Sequence, residues 1–255
     1  MKKKILITTL LVLAMPLTAC QYAKIISMKE ARELLNDIYL AQEAVNDETL
    51  VFSIKTEFTS NNKDETEGYI EKSTVTVSYP KFFFHEERQK KDLDGQLLAD
   101  DQNYVFFNKG IYYIAEQTYA NGAYERTYTQ HAEMSDFLLA HYQAVISKSL
   151  RQYKGIDLKD EMLDEETGFL SEIPNTIYDY IKVKTTSASS DNLTVKYRTI
   201  DKEKKTIVKT IEWDNNYLKE IEYQFSDGDL YEKSKVKFST KVDLRFPILN
   251  DYTPE

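Results

Sequence analysis

Turn signals recur along this chain at short, regular intervals, and they restrict it to a fold made largely of hairpin-linked strands. In the last third, Asp201, Asp214-Asn215-Asn216 and Asp227-Gly228 stand thirteen residues apart. Asp94-Gly95, Asn108-Lys109-Gly110 and Asn121-Gly122 mark the first half in the same way. Glycine and asparagine close such turns because they accept positive φ, and aspartate because it bonds to its own backbone. Between the turns, side chains alternate. Phe52, Ile54, Thr56 and Phe58 interleave with Val51, Ser53, Lys55 and Glu57, and Val75, Val77 and Tyr79 interleave with Thr74, Thr76 and Ser78. That period of two belongs to strands. The pattern predicts strands over 51–58, 69–79, 81–88, 97–107, 111–119 and 123–129, then 178–186, 193–199, 206–213, 217–225 and 230–239. An edge strand is expected at 242–246.

Two segments have the helical period instead. Ser27-Met28-Lys29-Glu30 has the form of a capping box. Behind it Ala31, Leu34, Leu35, Ile38, Ala41 and Val45 recur at helical spacing, which predicts a helix over 28–45. A second helix is expected over 132–153, with Leu138, Tyr142, Val145, Ile146 and Ser149 on one face and Gly155 ending it. The acidic stretch 156–173 reads as a loop with a short helix at 159–165, closed by Pro174. No Gly/Ser/Pro-rich linker divides the chain, so 27–255 reads as a single domain. Eleven antiparallel strands accumulate twist and curl. The expected fold class is therefore α+β: a strongly curled sheet, or half-barrel, with two main helices buried on its concave face.

The front of the chain gives an address. Lys2, Lys3 and Lys4 precede an apolar run from Ile5 to Met15, broken by Pro16 and followed by small residues. These are the parts of an export signal. The run is too short to span a membrane, which takes about 20 apolar residues. Leu17-Thr18-Ala19-Cys20 resembles the lipobox of bacterial lipoproteins, with Leu17 at −3, Ala19 at −1 and the chain's one cysteine at +1. The resemblance implies that 1–19 is a signal peptide and that Cys20 carries a diacylglycerol, leaving 20–26 as anchor and short tether. It places the protein on the extracytoplasmic side of a bacterial cell membrane. The alternative is an ordinary secretory signal followed by a stray cysteine.

Composition narrows the partners. Without the three leader lysines, 30 basic residues face 42 acidic ones, a net charge of −12. So acidic a surface repels nucleic acid and anionic headgroups. The membrane is thus expected to hold the body through the lipid on Cys20, and no nucleic-acid partner is expected. Nineteen tyrosines against one tryptophan suit half-wet strands and cavity walls.

The order of elements over 27–246 also resembles the LolA/LppX superfamily: a membrane-proximal leader, an N-terminal helix, a run of strands, a helical interruption and a final meander. Those proteins are half-barrels with helices over a lipid-binding cavity. Small α/β cone folds and lipocalin-like barrels compete with this reading. The resemblance implies a membrane-anchored, non-catalytic protein that binds a lipid or other apolar ligand.

Candidate lining residues follow from strands that are apolar on both faces, such as Phe82-Phe83-Phe84, Tyr104-Val105-Phe106-Phe107 and Ile111-Tyr112-Tyr113-Ile114. An antiparallel strand with one wet face alternates instead. The expected pocket is Phe52, Ile54, Phe58, Val75, Val77, Phe84, Tyr104, Phe106 and Tyr113, with Leu138 and Tyr142 from the second helix. A helix that simply covers the second face would explain the same runs. In that case the protein is an envelope interaction or scaffold protein with a filled core.

Catalysis finds little support. His131 and His141 lie ten apart on or near one helix, nearly three turns, and cannot share a metal; His85 is remote in sequence. There is no H-E-x-x-H, no Cys/His cluster and no G-x-S-x-G. Asp92-Leu93-Asp94-Gly95 lacks the later ligands of a calcium loop. Asp157, Asp160, Glu161, Asp164, Glu165 and Glu166 read as a solvated acidic face. No enzyme activity, cofactor or metal is expected.

Overall fold

The computed structural model describes residues 24–25, 27–61, 68–163, 178–185, 192–200, 205–214 and 217–255. The leader and Cys20 lie outside the described residues. Helix α1 (Met28–Glu43) starts at the expected capping box: Ser27 Oγ accepts from the Glu30 amide at 3.2 Å, and Glu30 Oε2 accepts from the Ser27 amide at 2.8 Å. Its buried stripe is Ala31, Leu35, Ile38, Tyr39 and Gln42. Ala41, expected on that stripe, is exposed, and Gln42, about 100° away around the axis, is buried instead.

Helix α2 (Asp136–Lys154) begins four residues later than expected. Ser135 sets the start, its hydroxyl accepting from the Leu138 amide at 3.2 Å. Leu138, Tyr142, Ile146, Ser149 and Tyr153 are its buried face. Gly155 ends it with φ 67°, and a side chain there would meet Tyr39 at 3.4 Å. Helix α3 (Ile156–Leu163) follows and buries Leu158 and Met162.

The strands are β1 (Lys24–Ile25), β2 (Val51–Ser60), β3 (Tyr69–Ser78), β4 (Phe83–Asp92), β5 (Leu97–Asn108), β6 (Ile111–Ala120) and β7 (Ala123–His131) in the first half. After the helices come β8 (Tyr178–Thr185), β9 (Asn192–Ile200), β10 (Thr206–Asp214), β11 (Tyr217–Asp227), β12 (Leu230–Ser239) and β13 (Thr253–Pro254). They form one sheet in the order β1-β8-β9-β10-β11-β12-β2-β3-β4-β5-β6-β7-β13. Every pairing is antiparallel except β7–β13. The eleven long strands match the expected ones to within a few residues. The sheet does not close, and the two-residue strands β1 and β13 are its outer members. Lys24–Ile25, expected to be tether, is paired with β8.

The two meanders join through β12 and β2, where Phe238 faces Ile54 and Lys235 faces Glu57. Helices α2 and α3 carry the chain from β7 at one side of the sheet to β8 at the other, across one face. On that helix face a single core gathers Phe52, Ile54, Val77, Phe84 and Val105 with Leu193, Ile211, Trp213 and Phe238. Side chains of all three helices complete it.

The expected edge strand at 242–246 is not formed. The segment after β12 crosses the opposite face of β4–β7 as a strap and ends as β13 beside β7. Leu244, Leu249 and Tyr252 pack there on a second core of Phe83, Tyr104, Phe106 and Ala115. The doubly apolar strands are explained by this arrangement, with helices over one face and the chain's own strap over the other.

Candidate functional site

The structure divides the expected pocket. Phe52, Ile54, Val77, Phe84, Leu138 and Tyr142 are buried together on the helix face, with half-buried Val75 against them. The space between them is occupied. Phe52 stacks on Tyr153 at 4.2 Å, and Tyr142 stacks on Phe82 at 4.0 Å. Tyr104, Phe106 and Tyr113 lie on the strap face instead. Register decides this: His85 faces Tyr104 and Tyr104 faces Ala115, whereas Phe84 faces Val105 and Val105 faces Ile114. Tyr104 and Phe106 therefore point away from Phe84 by the alternation of strands. Phe58 belongs to neither core and sits half-buried beside Tyr69, ring to ring at 5.5 Å.

The largest described cleft, about 650 Å³, opens between the C-terminal end of α2 and the ends of β11 and β12. Tyr153, Leu218 and Phe238 form its apolar floor, and Asp214, Lys219, Ser239, Thr240 and Lys241 give it a polar margin. Its volume lies within the range of small-molecule sites. The Tyr153 hydroxyl is buried with no hydrogen-bond partner among the described residues. Burial, and secondarily Tyr217, pushes its pKa up to about 12, so it stays a neutral donor. A buried donor without an acceptor costs about 1–3 kcal/mol.

None of the eleven expected lining residues borders this cleft. Strict alternation would put Leu218 on the polar side of its strand, with Glu220 and Glu222. A bulge changes that. Glu212 faces Glu220, but the next residue, Trp213, faces Leu218, so Lys219 is an extra residue. Across a bulge the alternation reverses, and Leu218 joins Ile221 on the helix face.

A smaller cavity of about 250 Å³ lies under the strap, lined by Ser53, Thr76 and His85 from the sheet and by Lys241, Val242, Asp243 and Arg245 from the strap. His85 is buried and stacks on Tyr104 at 4.1 Å, nearly coplanar. Burial holds its pKa down at about 4, with Glu87 opposing the shift and Arg245 assisting it. The unfolded chain takes up this proton below pH 6.5, whereas the folded chain resists until about pH 4. Stability is thus retained above pH 6.5 and lost as pH falls toward 4, by about 3 kcal/mol. Denaturant melts at pH 7 and pH 4 are expected to show a His85→Gln variant losing less stability on acidification by about that amount. Parallel losses in the two proteins would contradict the assignment.

The other histidines stay apart: His131 ends β7 opposite Tyr112, and His141 stacks on Phe137 from α2. Among the described residues no group of three or more His, Cys, Asp or Glu could hold a metal. No helix among them is long and apolar enough to cross a membrane.

No family model matches the chain, and no curated protein matches it. Among solved structures, the crystal structure of Rv2717c from M. tuberculosis aligns over 76% of this chain and 94% of its own, at 8% identity and a TM-score of 0.21. So loose a superposition carries no argument about fold or function.

Proposed function

We propose that this chain is a lipoprotein of the bacterial cell envelope, anchored through Cys20 on the extracytoplasmic side of the membrane, that binds an amphiphilic ligand without catalysis. The sheet in this reading is a curled half-barrel of the LolA/LppX kind. The observation that carries the proposal is the cleft of about 650 Å³ with its apolar floor of Tyr153, Leu218 and Phe238 and its polar margin. Such a site suits an acyl or other apolar chain with a polar head. The exposed Lys241 offers a positive charge for an anionic head. In this reading the work done on the ligand is burial and release.

The test is native mass spectrometry of the secreted Cys20→Ala protein with a fatty acid and a lysophospholipid as probes. One-to-one adducts are expected. A Thr240→Trp variant, which blocks the margin with a side chain at an exposed position, is expected to weaken them about tenfold, equivalent to about 1.4 kcal/mol. Bare protein masses throughout, or equal adducts in both proteins, would sink the ligand reading.

A second reading is favoured by one observation. The helices cover one face of the sheet and the strap covers the apolar part of the other over β4–β7, as expected of an envelope interaction or scaffold protein with a filled core. Bare masses in the same experiment support it.

A further inference from the structure

The register of the sheet fixes which end of the molecule lies toward the anchor. Lys24 faces Thr185, Thr185 faces Leu193, Leu193 faces Trp213, and Trp213 faces Leu218. Two residues below that level Glu220 faces Lys237, and two residues above Lys237 Ser239 faces Ser53. The same level continues through Thr76, His85, Tyr104, Ala115 and Tyr128. Thr185 ends its strand, and Ile25 faces Lys184, so β1 runs inward from this end. Among the described residues, Asp47–Thr49, Tyr79–Lys81, Asn108–Ile111 and the lead into α2 at Ser135 lie beyond this level.

Both ends carry exposed apolar side chains, Leu93, Leu98, Tyr124 and Tyr231 at the far one, but the most exposed lie here: Phe137 at 67% and Ile248 at 69%, with Phe107, Met134 and Phe246 at the same end. Phe107 packs on Tyr112, and Tyr112 packs on Phe82, so part of the group is continuous. Exposed Lys81 and Lys109 stand at the tips of two turns. Asp47, Glu48, Glu133, Asp136 and Asp214 are also at this end, Asp136 in the first turn of α2, where a carboxylate favours the helix. The turns at the opposite end carry Asp92, Asp94, Asp227 and Asp229. Exposed aromatic and aliphatic side chains with lysines at the margin suit the headgroup layer of a bilayer.

We infer that this end of the sheet rests on the bilayer surface, with Phe107, Met134 and Phe137 seated among the headgroups. The inference builds on the Cys20 anchor proposed above. Four residues lead from Cys20 to Lys24, a reach of at most about 14 Å. Asn108 lies four strand residues beyond the level of Lys24, about 13 Å. A lipid on Cys20 therefore holds the turn tips against the surface and leaves the opposite end, with its turns at Asp92 and Asp227, outward. The cleft at Leu218 and Phe238 then opens toward the membrane.

The test uses the full lipidated chain in phosphatidylcholine vesicles containing a nitroxide-headgroup lipid. The only natural thiol, Cys20, is occupied by the lipid. Single labels at Asn108→Cys and, at the opposite end, Ala123→Cys report proximity. Quenching is expected to be about fivefold stronger at 108 than at 123, because headgroup contact is confined to one end. Adding Phe107→Ser and Phe137→Ser is expected to reduce quenching at 108 by about twofold. Equal quenching at both sites in a chain that floats with the vesicles overturns the orientation and leaves the anchor standing. Unchanged quenching in the serine variant overturns the apolar contact. A chain that does not float with vesicles overturns the anchor and this inference together.

Discussion

Removing residues 242–255 is expected to lower the unfolding free energy by about 5 kcal/mol, the cost of returning roughly 200 Å² of apolar surface to water at about 25 cal/mol per Å². The strap is the cover of one face of β4–β7. Phe83 and Phe106 are at most 1% exposed beneath it. Phe246 meets their rings edge-on at 5.0 and 5.5 Å, and Leu244, Leu249 and Tyr252 pack alongside. The end is held by backbone bonds: Thr253 and Pro254 pair with β7, and the Glu255 amide donates to the Tyr128 carbonyl at 2.9 Å. Guanidinium melts of full-length and truncated protein measure the loss, and an apolar dye reports the uncovered aromatics. A loss below about 1 kcal/mol would mean that the strap is an ornament on an already stable sheet.

Phe52→Ala is expected to cost about 4 kcal/mol, within the usual 3–5 kcal/mol for deleting a buried phenylalanine. Phe52 is fully buried on the helix face. It faces Val77 across β2–β3 and stacks on Tyr153 of α2, so its ring joins the sheet to the longest helix. The neighbouring elements cannot collapse into the gap, because β2 is hydrogen-bonded on both sides, to β3 and to β12. Phe52→Leu keeps most of the volume and is expected to lose less than about 2 kcal/mol. Equal losses for the two variants would show that volume at this site does not matter.

Much of the architecture was legible because it is written in local chemistry. Ser27 and Glu30 fix the start of α1 whatever packs on it, and Gly155 ends α2 because it accepts positive φ. The paired turn residues set the hairpins, and with them the antiparallel neighbours. The failures have a common cause. Periodicity tells which residues share a face of one strand, but it does not tell which faces of different strands are on the same side. Phe84 and Tyr104 both read as inward, yet the β4–β5 register puts them on opposite sides. Ala41 lies outside the buried stripe of α1 because Ile38, Tyr39 and Gln42 complete it and Ala41 stands about 100° around the axis from Gln42. The bulge at Lys219 left no mark that alternation could reveal, and it moved Leu218 from the polar side of its strand to the floor of the cleft.

By itself the sequence determined the element menu: strands where side chains alternate between turn residues, helices where a cap precedes a 3.6-residue stripe, and an acidic body behind a lipobox-like leader. These follow from backbone sterics and short-range hydrogen bonds, which need no tertiary partner. Only the tertiary structure decided that β12 pairs with β2, that the C-terminal segment covers a face instead of extending an edge, and that the cleft lies at the end where the chain enters the sheet. Those outcomes depend on the register between segments distant in sequence, and on which apolar face wins a cover, and neither is encoded within any single stretch of the chain.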